Sequence, residues 1–205
     1  MNPELVTRRR FISLLVESAA FLGILRVASF MRLGLAQVLR PPGAVEEEEF
    51  NTLCIRCGIC QSICPTRIIA LTGLEQGIEG LNTPKIDVSR GYCEFMRGRC
   101  EEAMLCGARC PTGALRNVHG DDVKIGTLRF EESLCLAYQG KECLVCDESC
   151  PITEAITLTD DLKPVFHDEK CVGCGTCVYS CPTSPKALEL LPNGVRRAGS
   201  RSRGP

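Results

Sequence analysis

No tryptophan occurs in this chain, and phenylalanine and tyrosine make up only 5% of its 205 residues. A core with so few large side chains is thin, and small domains of that kind rely on disulfides or metals. Only two histidines are present, His119 and His167, and neither belongs to a nucleophile–base constellation. Glycine-rich phosphate loops and recognisable molybdenum or flavin sites are missing as well. The chain therefore reads as a carrier rather than an enzyme with a substrate site of its own. His167, four residues before Cys171, reads as a strand-end residue, with tuning of a metal centre by hydrogen bonding as the alternative. No long basic face interleaves with aromatics, which removes the footprint of nucleic-acid binding. The apolar stretch from Phe11 to Leu25 is interrupted by Glu17 and followed by Arg26. It falls short of the roughly 20 residues that a spanning helix needs.

Cysteine is abundant instead, with sixteen residues. Cys171, Cys174, Cys177 and Cys181 follow one another at x2, x2 and x3 spacing and are closed by Pro182. Cys54, Cys57, Cys60 and Cys64 repeat that run, closed by Pro65. Three thiolates two residues apart on a coiled loop can cap three irons of one cubane. The fourth, at the start of a helical turn, ligates the neighbouring cluster in two-cluster ferredoxins. Glycines between the cysteines allow positive φ and close backbone approach, and the proline turns the chain away after the last ligand. Disulfide scaffolds rarely place four cysteines within eleven residues twice, each time before proline, and structural zinc favours other spacings.

Two looser motifs lie between these. Cys93, Cys100, Cys106 and Cys110 have spacings x6, x5 and x3, and Cys135, Cys143, Cys146 and Cys150 have x7, x2 and x3. Both keep the closing Cys-x3-Cys-Pro, at Pro111 and Pro151. The first cysteines, at 54, 93, 135 and 171, are 39, 42 and 36 residues apart, so one supersecondary unit recurs four times. Sixteen thiolates match four [4Fe–4S] clusters with none left over. Exchange of the fourth cysteine can be sequential (first motif with second, third with fourth) or nested (first with fourth, second with third). The outer motifs are regular and the inner ones irregular, a symmetry that leans toward nesting. Nesting would join Cys54, Cys57 and Cys60 to Cys181, and Cys171, Cys174 and Cys177 to Cys64. The inner sets would be Cys93, Cys100, Cys106 with Cys150, and Cys135, Cys143, Cys146 with Cys110.

Short apolar segments follow each Cys-Pro, and strand-like segments at Lys85 to Val88, Lys124 to Phe130 and Pro164 to Phe166 precede three of the cysteine loops. The expected fold class is α+β: two bacterial-ferredoxin-like 2[4Fe–4S] modules, with short hairpins and short helices around the clusters. Tyr138 and Tyr179, inside cysteine loops, are expected to pack over a cluster. Arg40-Pro41-Pro42-Gly43 reads as a linker, and Glu46 to Glu49 as a solvated helix start. The expected organisation is an export signal at 1–36, a linker at 37–49, the four-motif region at 50–192 and a disordered basic tail at 193–205 carrying Arg196, Arg197, Arg201 and Arg203.

Net charge is −1, but residues 1–36 carry five arginines against Glu4 and Glu17. Thr7-Arg8-Arg9-Arg10-Phe11-Ile12 looks like a twin-arginine export signal ahead of an apolar stretch, with Gly34-Leu35-Ala36 as a place for cleavage. Alternatives are an amphipathic helix packed on the protein and an uncleaved anchor. Sixteen thiols exported unfolded would meet an oxidising compartment and form disulfides. A route that carries folded cargo, through the twin-arginine translocase, lets clusters be inserted first. The expected location is the periplasm, with membrane association through a partner or an uncleaved signal as the alternative.

The run Leu136-Ala137-Tyr138-Gln139-Gly140-Lys141-Glu142-Cys143, continuing through Cys146-Asp147-Glu148-Ser149-Cys150-Pro151 to Leu158, resembles the third motif of the NapG/MauM family of ferredoxin-type proteins. The resemblance covers residues 5–192. It departs at the second motif, which is tighter in that family. The resemblance implies a polytopic membrane partner of NapH/MauN type that oxidises quinol. It also implies a periplasmic acceptor, such as a c-type cytochrome serving nitrate reductase, or a role in methylamine utilisation. Two rivals stand beside this reading. One is the iron–sulfur subunit of a larger DMSO-reductase-type or hydrogenase complex, and the other is a maturation factor for a periplasmic oxidoreductase.

Overall fold

The computed structural model describes residues 14, 16–19, 21–23, 26, 37–100 and 104–199. The twin-arginine run at Thr7 to Ile12, the candidate cleavage stretch Gly34 to Ala36, and Arg201 and Arg203 lie outside the described residues. In chain order the helices are α1 (Glu47–Leu53), α2 (Ile59–Ile63), α3 (Gly77–Gly80), α4 (Leu105–Ala108), α5 (Val145–Glu148) and α6 (Thr176–Ser180). The strands are β1 (Ile69–Leu71), β2 (Pro84–Ile86), β3 (Thr127–Phe130), β4 (Ile156–Leu158), β5 (Pro164–Phe166) and β6 (Leu188–Leu191).

The chain divides into two units, one of residues 1–36 with Gly73–Leu81 and one of Gln37–Thr72 with Asn82–Pro205. In the first, the described residues between 14 and 26 are helical, and Leu14, Val16, Phe21 and Leu22 are exposed. Leu74 and Ile78, in and beside a single 3-10 turn and α3, are exposed too. No described helix is long and apolar enough to cross a membrane.

The second unit holds all sixteen cysteines. Its strands pair antiparallel in three two-stranded sheets, β1 with β2, β4 with β5, and β3 with β6. The first two are local hairpins, in register Ile69 to Ile86 and Ile156 to Phe166. The third is long-range and pairs Thr127 with Leu191 and Phe130 with Leu188. The expected strand at Lys85 to Val88 sits one residue earlier and is shorter, and that at Lys124 to Phe130 begins at Thr127. After the second motif, the segment at Ala114 and Leu115 forms only an isolated bridge, Leu115 with Ala44. Two-stranded ribbons of this size are marginal alone. They persist because Ile68, Ile69, Ile86, Val178, Leu188 and Leu190 bury against one another and against the cysteine loops.

The expected linker is not a linker. Arg40 is only 2% exposed, and residues 40–45 are buried throughout. They form a strap: the Ile86 N–H donates to the Leu39 carbonyl (2.7 Å), Arg116 N–H to Gly43 (2.7 Å), and Val45 N–H to Ala114 (3.2 Å). The Arg40 guanidinium lies 4.5 Å over the Phe50 ring. It donates to Thr83 Oγ1 (2.7 Å), to the Pro84 carbonyl (2.8 Å) and to both carboxylate oxygens of Glu47. The acidic run at Glu46 to Glu49 does open a helix, since Glu47, Glu48 and Glu49 form the first turn of α1. Negative side chains there suit the positive helix end.

The tail is held as well. Arg196 N–H donates to the Lys124 carbonyl (3.0 Å) and Ala198 N–H to the Ala44 carbonyl (2.9 Å). Arg197 reaches Glu47 Oε2 at 3.8 Å. The expected disorder therefore does not hold for residues 194–198: backbone pairing and the Glu47 carboxylate fix them despite their polar composition.

Burial works to raise the Glu47 carboxyl, but Arg40 and then Arg197 outweigh it and hold Glu47 below its ordinary value. Such a group stabilises the fold above the unfolded carboxylate pKa, and that contribution disappears as pH falls through the folded value. Glu47→Gln is expected to cost about 1–2 kcal/mol at neutral pH, less than for a fully buried pair because Glu47 is partly solvated. Denaturant titrations at several pH values check this. The difference from wild type should shrink once pH drops below about 4.

Candidate iron–sulfur sites

The four short helices α2, α4, α5 and α6 each carry two cysteines at or beside their ends, about one turn apart. They run from Cys60 to Cys64, Cys106 to Cys110, Cys146 to Cys150 and Cys177 to Cys181. Helices α2 and α4 pack together, as do α5 and α6. Each helix delivers its first cysteine to one hollow and its second to the next.

Four hollows result. Site I is lined by Cys54, Cys57, Cys60 and Cys110. Site II is lined by Cys64, Cys93, Cys100 and Cys106. Site III has Cys135, Cys143, Cys146 and Cys181, and site IV has Cys150, Cys171, Cys174 and Cys177. Their volumes to the open mouth are about 400, 380, 350 and 420 Å³ in the order I to IV, so the four are alike in size. The nested pairing is thus corrected: Cys181 does not reach Cys54, nor Cys64 reach Cys171. The hairpins explain why. β1 with β2 folds the second motif straight back onto the first, and β4 with β5 does the same for the fourth onto the third.

Thiol electrostatics group the cysteines in the same way. Burial, with repulsion from Cys54, Cys57 and Cys110, pushes the Cys60 thiol up to about 11. Burial, with Cys100, Cys174 and Cys64 nearby, pushes Cys93 up to about 12. Cys146 rises to about 11 through burial and the neighbours Cys135 and Cys143. Cys106 and Cys177 are pushed up in the same manner. Clustered thiols whose deprotonation is opposed by burial and by one another suit ligation by cations, which neutralise the thiolates. A tetrahedral zinc site holds each sulfur about 2.3 Å from one point. Among the described residues no three His, Cys, Asp or Glu side chains are gathered closely enough for a single ion. Wide four-sulfur rings with apolar walls fit an iron–sulfur cluster.

The second ligand of each helix sits in a recurring hydrogen-bond pocket. In three motifs the residue after Cys-Pro is threonine, and its hydroxyl approaches the sulfur: Thr66 to Cys64 at 3.5 Å, Thr112 to Cys110 at 3.7 Å and Thr183 to Cys181 at 3.2 Å. The Leu115 N–H also donates to Cys110 Sγ, at 3.4 Å. Burial raises the Cys110 and Cys181 thiols, yet these hydrogen bonds, with Lys186 near Cys181, bring both below the ordinary value. At Cys150 the threonine is replaced by Ile152, and site IV receives its hydroxyl from Thr176, 3.3 Å from Cys174 Sγ. Cations brace the ligand loops. Lys124 Nζ donates to the Cys171 carbonyl at 2.8 Å, and Lys186 Nζ to the Cys181 carbonyl.

Several side chains escaped the sequence reading. Glu94, beside Cys93, is only 3% exposed and lines site II. Its Oε2 lacks a hydrogen-bond partner and meets Arg99 at 3.4 Å across the long loop to Cys100. The Cys-Pro-Thr triplet was visible three times, but its role needed the geometry. Tyr138 packs against the core that holds Cys135, Cys146 and Cys181 and stands edge-on to Phe130 at 5.5 Å, while the exposed Tyr179 meets Tyr92 at 5.6 Å. The ring of His167 points to Thr157, 2.9 Å from its hydroxyl, and the residue sits just beyond β5 as a strand-end position should.

The regular motifs share one backbone with different occupants. Gly173 and Gly175 have φ of +71° and +83°, and the equivalent positions in the first motif are Arg56 at +59° and Gly58 at +74°. The loop therefore needs two left-handed residues, not two glycines. Gly173 is required for room, because a Cβ there would stand 2.6 Å from the Gly126 carbonyl oxygen.

Fold and donor sets define an iron–sulfur protein of the ferredoxin type. The family model described as "4Fe-4S dicluster domain" matches twice, at residues 53–114 and 141–184. The first match spans the cysteines of sites I and II. Among relatives, the "Methylamine utilization ferredoxin-type protein MauM" of Methylorubrum extorquens is 39% identical over 183 residues, 83% of this chain and 79% of that protein. The "Ferredoxin-type protein NapG" of Escherichia coli is 34% identical over 203 residues, 90% of this chain and 85% of that protein. "Ferredoxin-type protein NapF" of the same organism is 31% identical over 157 residues, 75% and 85%. The chain belongs to the NapG/MauM family of ferredoxin-type proteins.

Two predictions follow the geometry. Cys110→Ala and Cys54→Ala should each remove about four irons per chain, and the double variant no more than either alone, because both cysteines serve one site. Cys54→Ala with Cys181→Ala should remove about eight; iron analysis of anaerobically reconstituted protein decides. Arg56→Gly should be neutral or stabilising by up to about 1 kcal/mol through relief of left-handed strain. Gly173→Ala should lower the unfolding temperature clearly through its backbone clash.

Proposed function

We propose that the protein holds four [4Fe–4S] clusters in two ferredoxin-like modules, sites I and II in one and III and IV in the other. It would relay electrons from a quinol-oxidising membrane partner of NapH/MauN type to a periplasmic cytochrome or reductase, in a nitrate-reductase or methylamine system. The observation that carries this reading is the fourfold ring of three cysteines from one motif and one from its neighbour. A bound cluster supplies a one-electron couple whose potential responds to hydrogen bonds at sulfur, burial and charge.

The chain's own contribution is to hold that couple in place and tune it. The cysteines fix position, while the hydroxyls of Thr66, Thr112, Thr176 and Thr183 offer donors to sulfur. Buried Glu94 adds negative charge at site II, and Lys124 and Lys186 place positive charge beside sites IV and III. We further read the arginine-rich N-terminus as a twin-arginine signal that sends the folded, loaded protein to the periplasm.

An EPR-monitored redox titration of anaerobically prepared protein tests the relay. Several [4Fe–4S] signals are expected, some reducible near quinol potentials. If every signal titrates far below quinol, a low-potential donor must replace the proposed source. Zinc in place of iron would overturn the whole reading.

A further inference from the structure

The regular motifs are identical in cysteine spacing, yet their loops meet opposite surroundings. In the first motif, Ile55, Arg56 and Cys57 are exposed, Ile55 by 62%. In the fourth motif, Gly173 to Thr176, the positions equivalent to Arg56 through Ile59, are all buried. What covers it comes partly from the other half of the chain. Cys93 N–H, at site II, donates to the Cys174 carbonyl, at site IV, over 2.8 Å. A Cβ on Gly175 would come within 2.8 Å of Val88 Cγ1, so β2's exit packs directly on this loop. Arg97, in the long loop of the second motif, donates to the Ser149 carbonyl beside Cys150. Sites II and IV are therefore joined ligand residue to ligand residue.

The other neighbour relations are those of the shared helices, I with II and III with IV. Phe166 lines both III and IV. The contacts are therefore I–II, II–IV and IV–III.

Resting on the four-cluster reading, we infer that the sites form one unbranched series in the order I, II, IV, III, which is not their order along the chain. Its ends are the exposed loop around Cys57 and the loop at Gly140, Lys141 and Glu142 beside Cys143, also exposed. A one-electron redox protein docked at one end is oxidised by one electron. A one-electron acceptor at the other end is reduced by one, and no bond is formed or broken in between.

The test uses the full chain, loaded and fully reduced, with EPR signals assigned through variants that each empty one site: C54A/C57A, C93A/C100A, C135A/C143A and C171A/C174A. Emptying II should abolish the spin coupling seen by I, and emptying IV that seen by III, while emptying I leaves II, IV and III coupled. In the wild type, a soluble lanthanide chelate should speed relaxation at I, where Cys57 is exposed, more than at IV, where Cys174 is buried. Coupling of I to IV without II, or of II to III without IV, would overturn the order. So would a chelate effect at IV equal to that at I. Fewer than four cluster signals in wild type would instead withdraw the four-cluster reading, and the order with it.

Discussion

The division of each helix's two cysteines between two hollows governs this structure. Every site is consequently completed by a neighbouring motif, and no motif can close alone. The hairpins β1–β2 and β4–β5 and the packing of α2 on α4 and of α5 on α6 follow from bringing two such helices together. Sulfur replaces aromatic side chains as the filling of the interior, which is how a chain without tryptophan acquires a core.

Polar groups were placed where that interior leaves them few choices. Arg40 sits under the strap with its guanidinium spent on Glu47, Thr83 and Pro84, so a buried charge is compensated on every side. Glu94 is the opposite case, a carboxylate held beside a ring of thiols with one long contact to Arg99. Charge next to a redox centre shifts its potential. The two halves thus differ in electrostatic character: a buried anion at site II, and lysines bound to ligand-loop carbonyls at sites III and IV.

Cysteine spacing made the donor sets, the cofactor chemistry and the α+β class legible, because ligand geometry is local in sequence. Pairing was not legible, since the regularity of the outer motifs says nothing about which hairpin folds which loop back. The Pro-Pro-Gly strap and the arginine-containing tail were read as solvated by composition. In the structure they are captured by long-range backbone pairing, to 114–116 and to Lys124 and Ala44, that no local pattern signals. Arg56 shows the same limit at smaller scale. A left-handed position was expected to be glycine, yet an exposed loop tolerates arginine where the buried copy cannot.

The Ala198 to Ala44 hydrogen bond and the Arg197 contact with Glu47 have a temporal meaning. During synthesis the strap at 40–45 emerges early, but its partners at 114–116 and 196–198 emerge later. Its last fastening therefore forms only after residue 198 has emerged, more than 150 residues behind the strap it closes.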